Sequence, residues 1–278
     1  MIGVIDVGGG LRGSYGAGVL DWCMMHDIHF DYGIGVSAGS ANIASYAGHQ
    51  IGRNYIFYTQ YFTRWQYMGF KNMFRTGDYV GLDYIYNTLS NEGGEYPLNW
   101  KGIMDNPMQY WTVATNALTG KPAYFDKTAM SQDHYDVIKA SCCVPVVDKP
   151  YMIDDVPYYD GGISDPVPLQ KAFDDGCDKV VLILTRPRDF RRIPKNDALL
   201  ARILECTYPN AAKDMATRSH VYNDCVDKAE ELEKEGKILI VAPSDIGHMK
   251  TLTKDKESIA ALYMKGFEDA KSISAFIK

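Results

Sequence analysis

The sequence lacks a cysteine framework, an excess of positive charge and long apolar runs. Its six cysteines are scattered without C-x-x-C spacing, which argues against a zinc site or a set of disulfides and is typical of reduced thiols in a cytosolic compartment. The formal net charge of −6 argues against generic nucleic-acid binding, because such binding needs a positive surface that displaces counterions. We therefore expect neither a metal site nor a nucleic-acid partner.

The apolar segments are too short to cross a membrane. No segment approaches the roughly 18 consecutive apolar residues that a transmembrane helix requires. The first apolar run, Met1–Val7, is short and leads directly into glycines, so we expect no signal peptide. The sequence thus predicts a cytoplasmic protein whose membrane contact, if any, is peripheral.

The length and the order of the segments predict the fold class. At 278 residues the chain fits one large domain, residues 1–278, with an ordinary globular content of 46% hydrophobic and 23% charged residues. Strand-like segments alternate with helix-like ones, which predicts a three-layer α/β/α sandwich with a mostly parallel central sheet. The strands are expected near residues 2–7, 31–36, 110–115, 123–125, 180–185 and 238–241, and the helices near 14–25, 38–51, 227–235 and 256–276.

A glycine-rich turn follows the first strand and permits two interpretations. Gly8, Gly10 and Gly13 match G-x-G-x-x-G, the pattern that binds the pyrophosphate of a dinucleotide. Consecutive glycines can also adopt backbone angles that direct amide groups at the oxyanion of an acyl-transfer intermediate. A dinucleotide site needs an acidic residue at the end of the second strand, and Ser37 follows that strand instead. The sequence therefore favours an oxyanion loop.

The second strand runs into the pattern G-x-S-x-G at residues 35–39. Between a strand and a helix, this pattern is typical of a nucleophile elbow, in which glycines permit a tight turn that exposes the central serine. Ser37 is the predicted nucleophile. The predicted oxyanion donors are the amides of Gly8, Gly9 and Gly10, with that of Ala38, which follows the nucleophile.

A serine nucleophile also needs a base, and Asp160 in "YYDGGISDPVP" is the candidate. It follows a strand-like segment, and Gly161 and Gly162 permit a close backbone approach to the serine. Asp-Gly pairs also start turns that have no catalytic role, so this motif by itself leaves both interpretations open.

Taken together and in this order, the three motifs resemble the patatin-like phospholipase family. The segment "KASCCVPVV" is similar to the Ala-Ser-x-x-x-Pro segment that precedes the family's aspartate, and the resemblance covers residues 2 to 185. It implies a Ser-Asp dyad of Ser37 as nucleophile and Asp160 as general base, acting on a lipid or other acyl ester through an acyl-serine without a cofactor. The C-terminal strand and helices, about 186–278, resemble a bacterial, cytoplasmic-type branch with weaker motif support. The supporting positions are Arg12, Gly13, Gly35, Gly39, Gly161 and Gly162.

Two alternatives remain at this point. An α/β-hydrolase triad would need a late histidine, for which His220 and His248 are available, although its nucleophile normally follows more strands than two. A non-catalytic lipid-binding module could also retain the fold. The sequence does not separate hydrolysis from transacylation and does not indicate an oligomeric state.

Three further features have both a structural and a functional interpretation. Residues 55–86 are dense in aromatic side chains, including Phe62 and Trp65, which either pack the core or cover an acyl entrance above Ser37. Arg12 either steadies the glycine loop or attracts a phosphate head group. The loop after the 180–185 strand either is a solvated charged loop or attracts head groups, and its basic residues are Arg186, Arg188, Arg191, Arg192 and Lys195.

Overall fold

The computed structural model describes residues 1–278, apart from the side chain of Asn196. An eight-stranded sheet lies at its centre. Its strands are β1 (Ile2–Asp6), β2 (Tyr32–Val36), β3 (Gln109–Asn116), β4 (Pro122–Asp126), β5 (Tyr151–Ile153), β6 (Val156–Asp160), β7 (Lys179–Ile183) and β8 (Ile238–Val241).

Five of these strands form a parallel core. The strand order is β5-β6-β3-β2-β1-β7-β8, with β4 paired to β3. The β3-β2-β1-β7-β8 part is parallel throughout, and β4, β5 and β6 add antiparallel pairings at the β3 side. This arrangement confirms the predicted mostly parallel sheet.

Helices cover both faces of the sheet. They are α1 (Ser14–Met25), α2 (Ala38–Ala47), α3 (Arg53–Thr59), α4 (Phe70–Thr76), α5 (Trp100–Asp105), α6 (Asp136–Cys142), α7 (Leu169–Asp174), α8 (Pro194–Leu204), α9 (Pro209–Lys234), α10 (Lys256–Asp269) and α11 (Ile273–Phe276). Neighbouring strand residues belong to different cores: Val4 is part of the core that includes residues of α1, α2 and α10, whereas Ile5 is part of the core that includes residues of α7 and α9. Two apolar cores on opposite faces of one sheet confirm the α/β/α sandwich.

Glycines on one face of β2 let α2 approach the sheet closely. A methyl group on Gly35 would lie 2.3 Å from the Cα of Ser40, a distance that backbone atoms cannot accommodate. The alternate residues of β2, Tyr32, Ile34 and Val36, fill the core on the other face. The glycines of β2 therefore let the start of α2 lie against the end of the strand before it.

Several helix boundaries differ from the sequence prediction. Helix α2 ends at Ala47 rather than near residue 51, because Gly48 caps it and His49 has a positive φ. Helix α9 begins at Pro209, where proline fits the first turn, and the sequence indicated only its charged last third. The predicted 256–276 helix is interrupted by a 3₁₀ turn between α10 and α11. None of the described helices is long and apolar enough to span a bilayer.

Candidate active site

The ends of two strands meet beside β3. The last residue of β2, Val36, pairs with Val113 of β3, and the last residue of β6, Asp160, pairs with the next β3 residue, Ala114. Since β4 pairs along the other edge of β3, β2 and the antiparallel β6 lie end to end on the same edge. The register therefore brings Ser37, which follows β2, next to Asp160 from a distant part of the chain.

Ser37 occupies a strained turn between β2 and α2. Its backbone has φ 56° and ψ −133°, and a positive φ is uncommon for a residue with a side chain. A methyl group on Gly39 would lie 2.1 Å from the Asp6 carbonyl oxygen, so only glycine fits this position. The Ser37 amide donates to Oγ of Ser141 at 2.8 Å, and Ser40 closes the turn by donating to the Ser37 carbonyl. The chain thus holds the serine at the first turn of α2.

The glycine loop passes directly over this turn. Gly8, Gly9 and Gly10 have φ values of 62°, 128° and 60°, and a methyl group on Gly8 would lie 2.2 Å from the Val36 carbonyl oxygen. The Gly8 amide donates to Oδ1 of Asp6 at 2.9 Å, which corrects its expected role as a free oxyanion donor. Among the described hydrogen bonds, none uses the amides of Gly9 and Gly10.

The Asp160 carboxyl group is buried at the opposite wall. Burial raises its pKa above the ordinary value, and the main opposing influence is the positive charge of Arg218, followed by the Ser37 hydroxyl and the Gly162 amide. The Gly162 amide donates to Oδ1 of Asp160 at 2.8 Å. The Ser37 hydroxyl is close enough to favour the ionised form of this carboxyl group, although no hydrogen bond of standard geometry joins the two side chains in the described part of the chain.

Ser37 lies where two cavities of different character meet. An apolar cavity of about 80 Å³ extends towards the aromatic segment. A polar cavity of about 320 Å³ contains Asp160 and several arginines. The residues common to the walls of both cavities are Gly10, Ser37, Val144, Thr251 and Leu252.

The aromatic segment supplies much of the apolar wall. Phe57, Tyr58 and Tyr86 line this cavity, together with aliphatic side chains such as Leu82. Phe62 and Trp65 do not line it: Phe62 is buried in the core, which matches the structural interpretation of this segment, and Trp65 lines a separate surface groove rather than an entrance above Ser37. The high content of aromatic residues in this segment does not indicate which of the rings turn towards Ser37.

A buried polar network that the sequence did not indicate supports the glycine loop. Asn42 donates to Oδ2 of Asp6 and to the Gly13 carbonyl, both at 2.8 Å, and Tyr58 donates to Asn42 at 3.2 Å. Burial raises the pKa of Asp6 to about 6. The signal available in the sequence was an aspartate two residues before the first glycine of the loop, at a position where a buried strand favours apolar residues.

The C-terminal part of the chain completes the loop's surroundings. The Thr185 hydroxyl donates to the Gly8 carbonyl. Thr251 accepts the Leu11 amide through its carbonyl and a guanidinium hydrogen of Arg12 through its hydroxyl, both at 2.9 Å. Arg12 itself is 3% exposed and lines the polar cavity.

The basic residues of the loop that follows β7 lie in different environments. Arg186 and Arg192 line the polar cavity, whereas Arg188 and Arg191 form ion pairs with acidic residues of α9 and Lys195 is exposed. The two expectations for this loop were that it is solvated or that it attracts head groups, and neither describes all of its basic residues.

The histidines lie away from the serine. No histidine is among the described residues that line the two cavities, and the His248 side chain is 71% exposed beside Asp255. In the part of the chain that the structure describes, no cluster of three or more histidine, cysteine or acidic residues is arranged to hold a metal ion.

Comparison with known proteins identifies the family. The family model described as "Patatin-like phospholipase" matches residues 7–173. The chain belongs to this family. Residues 208–277 of this patatin-like protein match a second family, described as "Domain of unknown function (DUF6363)".

Two individual proteins resemble this patatin-like chain. "Uncharacterized protein YjjU" of Escherichia coli (strain K12) is 28% identical over 196 residues, which cover 70% of this chain and 54% of YjjU. The chain thus spans about half the length of this curated relative. The crystal structure of VipD from Legionella pneumophila aligns with 98% of this chain and 66% of its own, at 13% identity and a TM-score of 0.49. Membership of the family supports a lipid acyl hydrolase-type function.

Proposed function

We propose that this protein is a serine esterase that hydrolyses a carboxylic ester of a lipid through the Ser37–Asp160 dyad. The observation that carries the proposal is the position of Ser37, in a strained turn where an apolar and a polar cavity meet and beside a buried carboxyl group. An ester with an apolar acyl chain and a polar alcohol part matches these surroundings.

In the proposed reaction, Oγ of Ser37 attacks the ester carbonyl carbon while the Asp160 carboxylate accepts the hydroxyl proton. Collapse of the tetrahedral intermediate breaks the bond to the alcohol, which leaves with the proton from Asp160 and yields an acyl-serine. Water then attacks the acyl carbon, and Asp160 accepts a proton from this water and returns it to Oγ of Ser37. The products are the alcohol and a fatty acid.

The negative oxygen of the intermediate would be stabilised by the amides of Gly9, Gly10 and Ala38. The first two have no acceptor among the described hydrogen bonds, and the third lies at the first residue of α2, where the helix has unsatisfied amide groups. Loss of one such donor typically reduces the rate by roughly 10²- to 10³-fold. The Gly8 carbonyl and amide, both engaged elsewhere, would fix the loop instead.

The apolar cavity would hold the acyl chain. Its wall combines rings of the aromatic segment with Met68, Val80, Leu82 and Ile85 and ends at Ser37. Apolar walls with few polar groups are typical of sites that bury hydrocarbon ligands. The polar cavity on the other side of Ser37 would then receive the alcohol part.

We also propose that the protein acts at a membrane surface from the cytosolic side. Helix α4 exposes 70% of Phe70 and 90% of Phe74, with Lys71 and Arg75 between and beside them. Apolar side chains interspersed with cations favour the surface of an anionic bilayer. The six cysteines are free, which supports a reducing compartment.

The proposed dyad is tested by matched substitutions. Ser37→Ala and Asp160→Asn should each reduce hydrolysis of a p-nitrophenyl ester at least 10³-fold, roughly the scale of losing a nucleophile or its base, while His220→Ala and His248→Ala should retain most activity. A fluorophosphonate probe should label wild-type protein and not Ser37→Ala. A folded, inactive His248→Ala protein would support a histidine triad instead, and an unlabelled wild-type protein would support a non-catalytic lipid-binding module.

A further inference from the structure

Four arginines converge on the polar cavity beside Ser37. Arg12 comes from the glycine loop, Arg186 and Arg192 from the segment after β7, and Arg218 from α9. Arg12 is almost completely buried, and the other three are partly buried. These residues, separated by up to 206 positions in sequence, form the arginine cluster.

The arginine cluster has too few acceptors for its donors. In the described part of the structure, the buried Nε atoms of all four arginines lack a hydrogen-bond partner. The carboxylates that line the cavity are Asp160 and Asp197, of which Asp197 approaches Arg192 at 3.8 Å. Four guanidinium groups thus face two carboxylates, and unpaired buried donors are costly unless a ligand accepts from them.

Two other arginines of the loop after β7 are paired with acidic residues. Arg191 is paired with Asp227 at 2.6 Å and with Glu230 at 3.3 Å, and Arg188 is paired with Glu233. The acidic side of α9 therefore satisfies the outward arginines of this loop. Those that face the cavity are packed on aromatic rings instead, Arg186 on Phe190 and Arg192 on Tyr222, and the buried Nε atom of each has no acceptor in the described part of the structure.

We propose that the arginine cluster binds a phosphate group, so that the polar cavity selects esters whose alcohol part carries a phosphate. This inference rests on the proposed function and names its substrate class. A guanidinium group presents parallel donors that match phosphate oxygens, and a phosphate has enough oxygens to accept from several arginines at once, whereas a carboxylate has two. Since both cavities end at Ser37, the phosphate and the acyl chain would lie on opposite sides of the scissile bond.

The charges of the arginine cluster support this assignment. Burial, together with the other three arginines, lowers the pKa of Arg12 to about 9, and burial lowers that of Arg192 to about 10. Both values remain above neutral pH, so the groups stay charged and repel one another. A bound phosphate would reduce this repulsion and satisfy donors that the protein leaves open.

Binding can be tested independently of catalysis. Glycerol 3-phosphate and inorganic phosphate would be titrated calorimetrically into full-length Ser37→Ala protein, alone and combined with Arg192→Gln or with Arg191→Gln as the control from the same loop. We expect binding to weaken at least tenfold with Arg192→Gln and to be unchanged with Arg191→Gln. Arg186→Gln replaces Arg192→Gln if the latter lowers the melting temperature. No binding of either phosphate, or equal binding by all variants, would overturn the proposal.

The kinetic test compares two substrates with the same acyl chain, 1-acylglycerol 3-phosphate and the neutral 1-acylglycerol. We expect the wild-type protein to favour the phosphorylated ester, the ratio of the two kcat/KM values to fall at least tenfold in Arg192→Gln, and the ratio to stay unchanged in Arg191→Gln. A wild-type preference for the neutral ester, or the same ratio in both variants, would overturn phosphate selection.

The two tests separate the proposed function from the phosphate site. If wild-type protein hydrolyses no ester while Ser37→Ala still binds glycerol 3-phosphate through Arg192, the esterase proposal fails and the phosphate site stands. If esters are hydrolysed without phosphate binding, the site fails and the esterase stands. If inorganic phosphate binds as tightly as glycerol 3-phosphate and the kinetic ratio does not depend on Arg192, the site binds free phosphate rather than a head group, which overturns substrate selection.

Discussion

The residues proposed for catalysis are held in conformations or environments that are costly for the folded chain. Ser37 has a positive φ, Asp160 is a buried acid, and the buried Nε atoms of the neighbouring arginines have no hydrogen-bond partner among the described residues. A folded chain keeps such unfavourable conformations only where neighbouring residues hold them in place, as Gly39 and Ser141 do for Ser37. Because the Asp160 carboxyl must be ionised to accept a proton, its surroundings also set the pH range of activity.

The pH dependence of hydrolysis should therefore depend on Arg218. Activity towards a p-nitrophenyl ester should rise with pH as Asp160 ionises, and burial raises the pKa of this group above the ordinary carboxyl range. Arg218, and less strongly Arg192, lower the pKa of Asp160, so Arg218→Gln should raise it and move the acidic limb of the kcat/KM profile to higher pH. Arg191→Gln is the matched control. A shift to lower pH would contradict the assignment of Asp160 as the base.

At the scale of elements, the segment between α3 and β3 supplies part of the wall of the apolar cavity that we propose for the acyl chain. Met68 and Val80, which pair as an isolated bridge, both line the apolar cavity, and α4 projects from the chain between them. The segment from Met68 to Val80 thus contributes to the cavity wall at both of its ends, and its helix α4 exposes aromatic side chains. In the proposed function, a single segment would therefore connect the lipid surface to the acyl cavity.

Filling the acyl cavity should shorten the preferred acyl chain. Leu82→Phe adds volume to a wall that encloses about 80 Å³, so activity on long p-nitrophenyl esters should fall tenfold or more relative to the butyrate ester. Leu200→Phe, which narrows the polar cavity, is the control and should leave the chain-length profile unchanged. An unchanged profile in Leu82→Phe would place the acyl chain elsewhere.

Removing the aromatic residues of α4 should weaken membrane contact. Phe70→Ser combined with Phe74→Ser should reduce cosedimentation with anionic vesicles severalfold, because each exposed ring that enters the interface contributes apolar burial. Leu199→Ser combined with Ile203→Ser alters two other exposed apolar residues, both on α8, and serves as the control. If only the α8 variant loses binding, the contact does not involve α4.

At the scale of the whole molecule, the site depends on both ends of the chain. Strand β7 lies beside β1 in the sheet, so Thr185 reaches the Gly8 carbonyl, and Thr251 reaches the glycine loop after β8. Helix α9 adds Arg218 to the polar cavity. The prediction of one domain over residues 1–278 remains a prediction, although strands from both parts of the chain share one sheet.

Buried acids should make the folded protein less stable as the pH rises from about 4 to 7. Burial raises the pKa of Asp6 and Asp21 to about 6 and that of Asp148 to about 7, from 3.8. Between these values the folded state binds more protons than the unfolded state, so the free energy of unfolding decreases with increasing pH. For Asp21, a shift of roughly two pKa units corresponds to at most about 3 kcal/mol.

Asp21→Asn tests this dependence. Oδ2 of Asp21 accepts from Tyr263 at 2.6 Å and from Gly52 at 3.0 Å, and an asparagine oxygen can accept the same two bonds. The variant should lose less of its melting temperature than the wild type between pH 4 and 6, measured by calorimetry. Asp224→Asn, at an exposed position of α9, should follow the wild type. A steeper decrease in Asp21→Asn would show that this acid is not held protonated.

The sequence by itself determined the local geometry of the site and the fold class. The G-x-S-x-G turn, the three consecutive glycines and the alternating apolar segments predicted the bend at Ser37, the loop above it and the layered sheet, and the structure and the family match confirm the fold and the family. These features are readable because steric limits on a glycine or a tight turn depend on residues that are neighbours in the chain.

Only the tertiary structure decided which distant side chains share a cavity. The end-to-end placement of β2 and β6, the separation of Arg186 and Arg192 from Arg188 and Arg191, and the exclusion of Phe62 and Trp65 from the apolar cavity follow from sheet register and packing. A basic or aromatic segment has the same composition whether its side chains face solvent, core or cavity. The partners that decide between these environments lie tens to hundreds of residues away, so no local pattern records them.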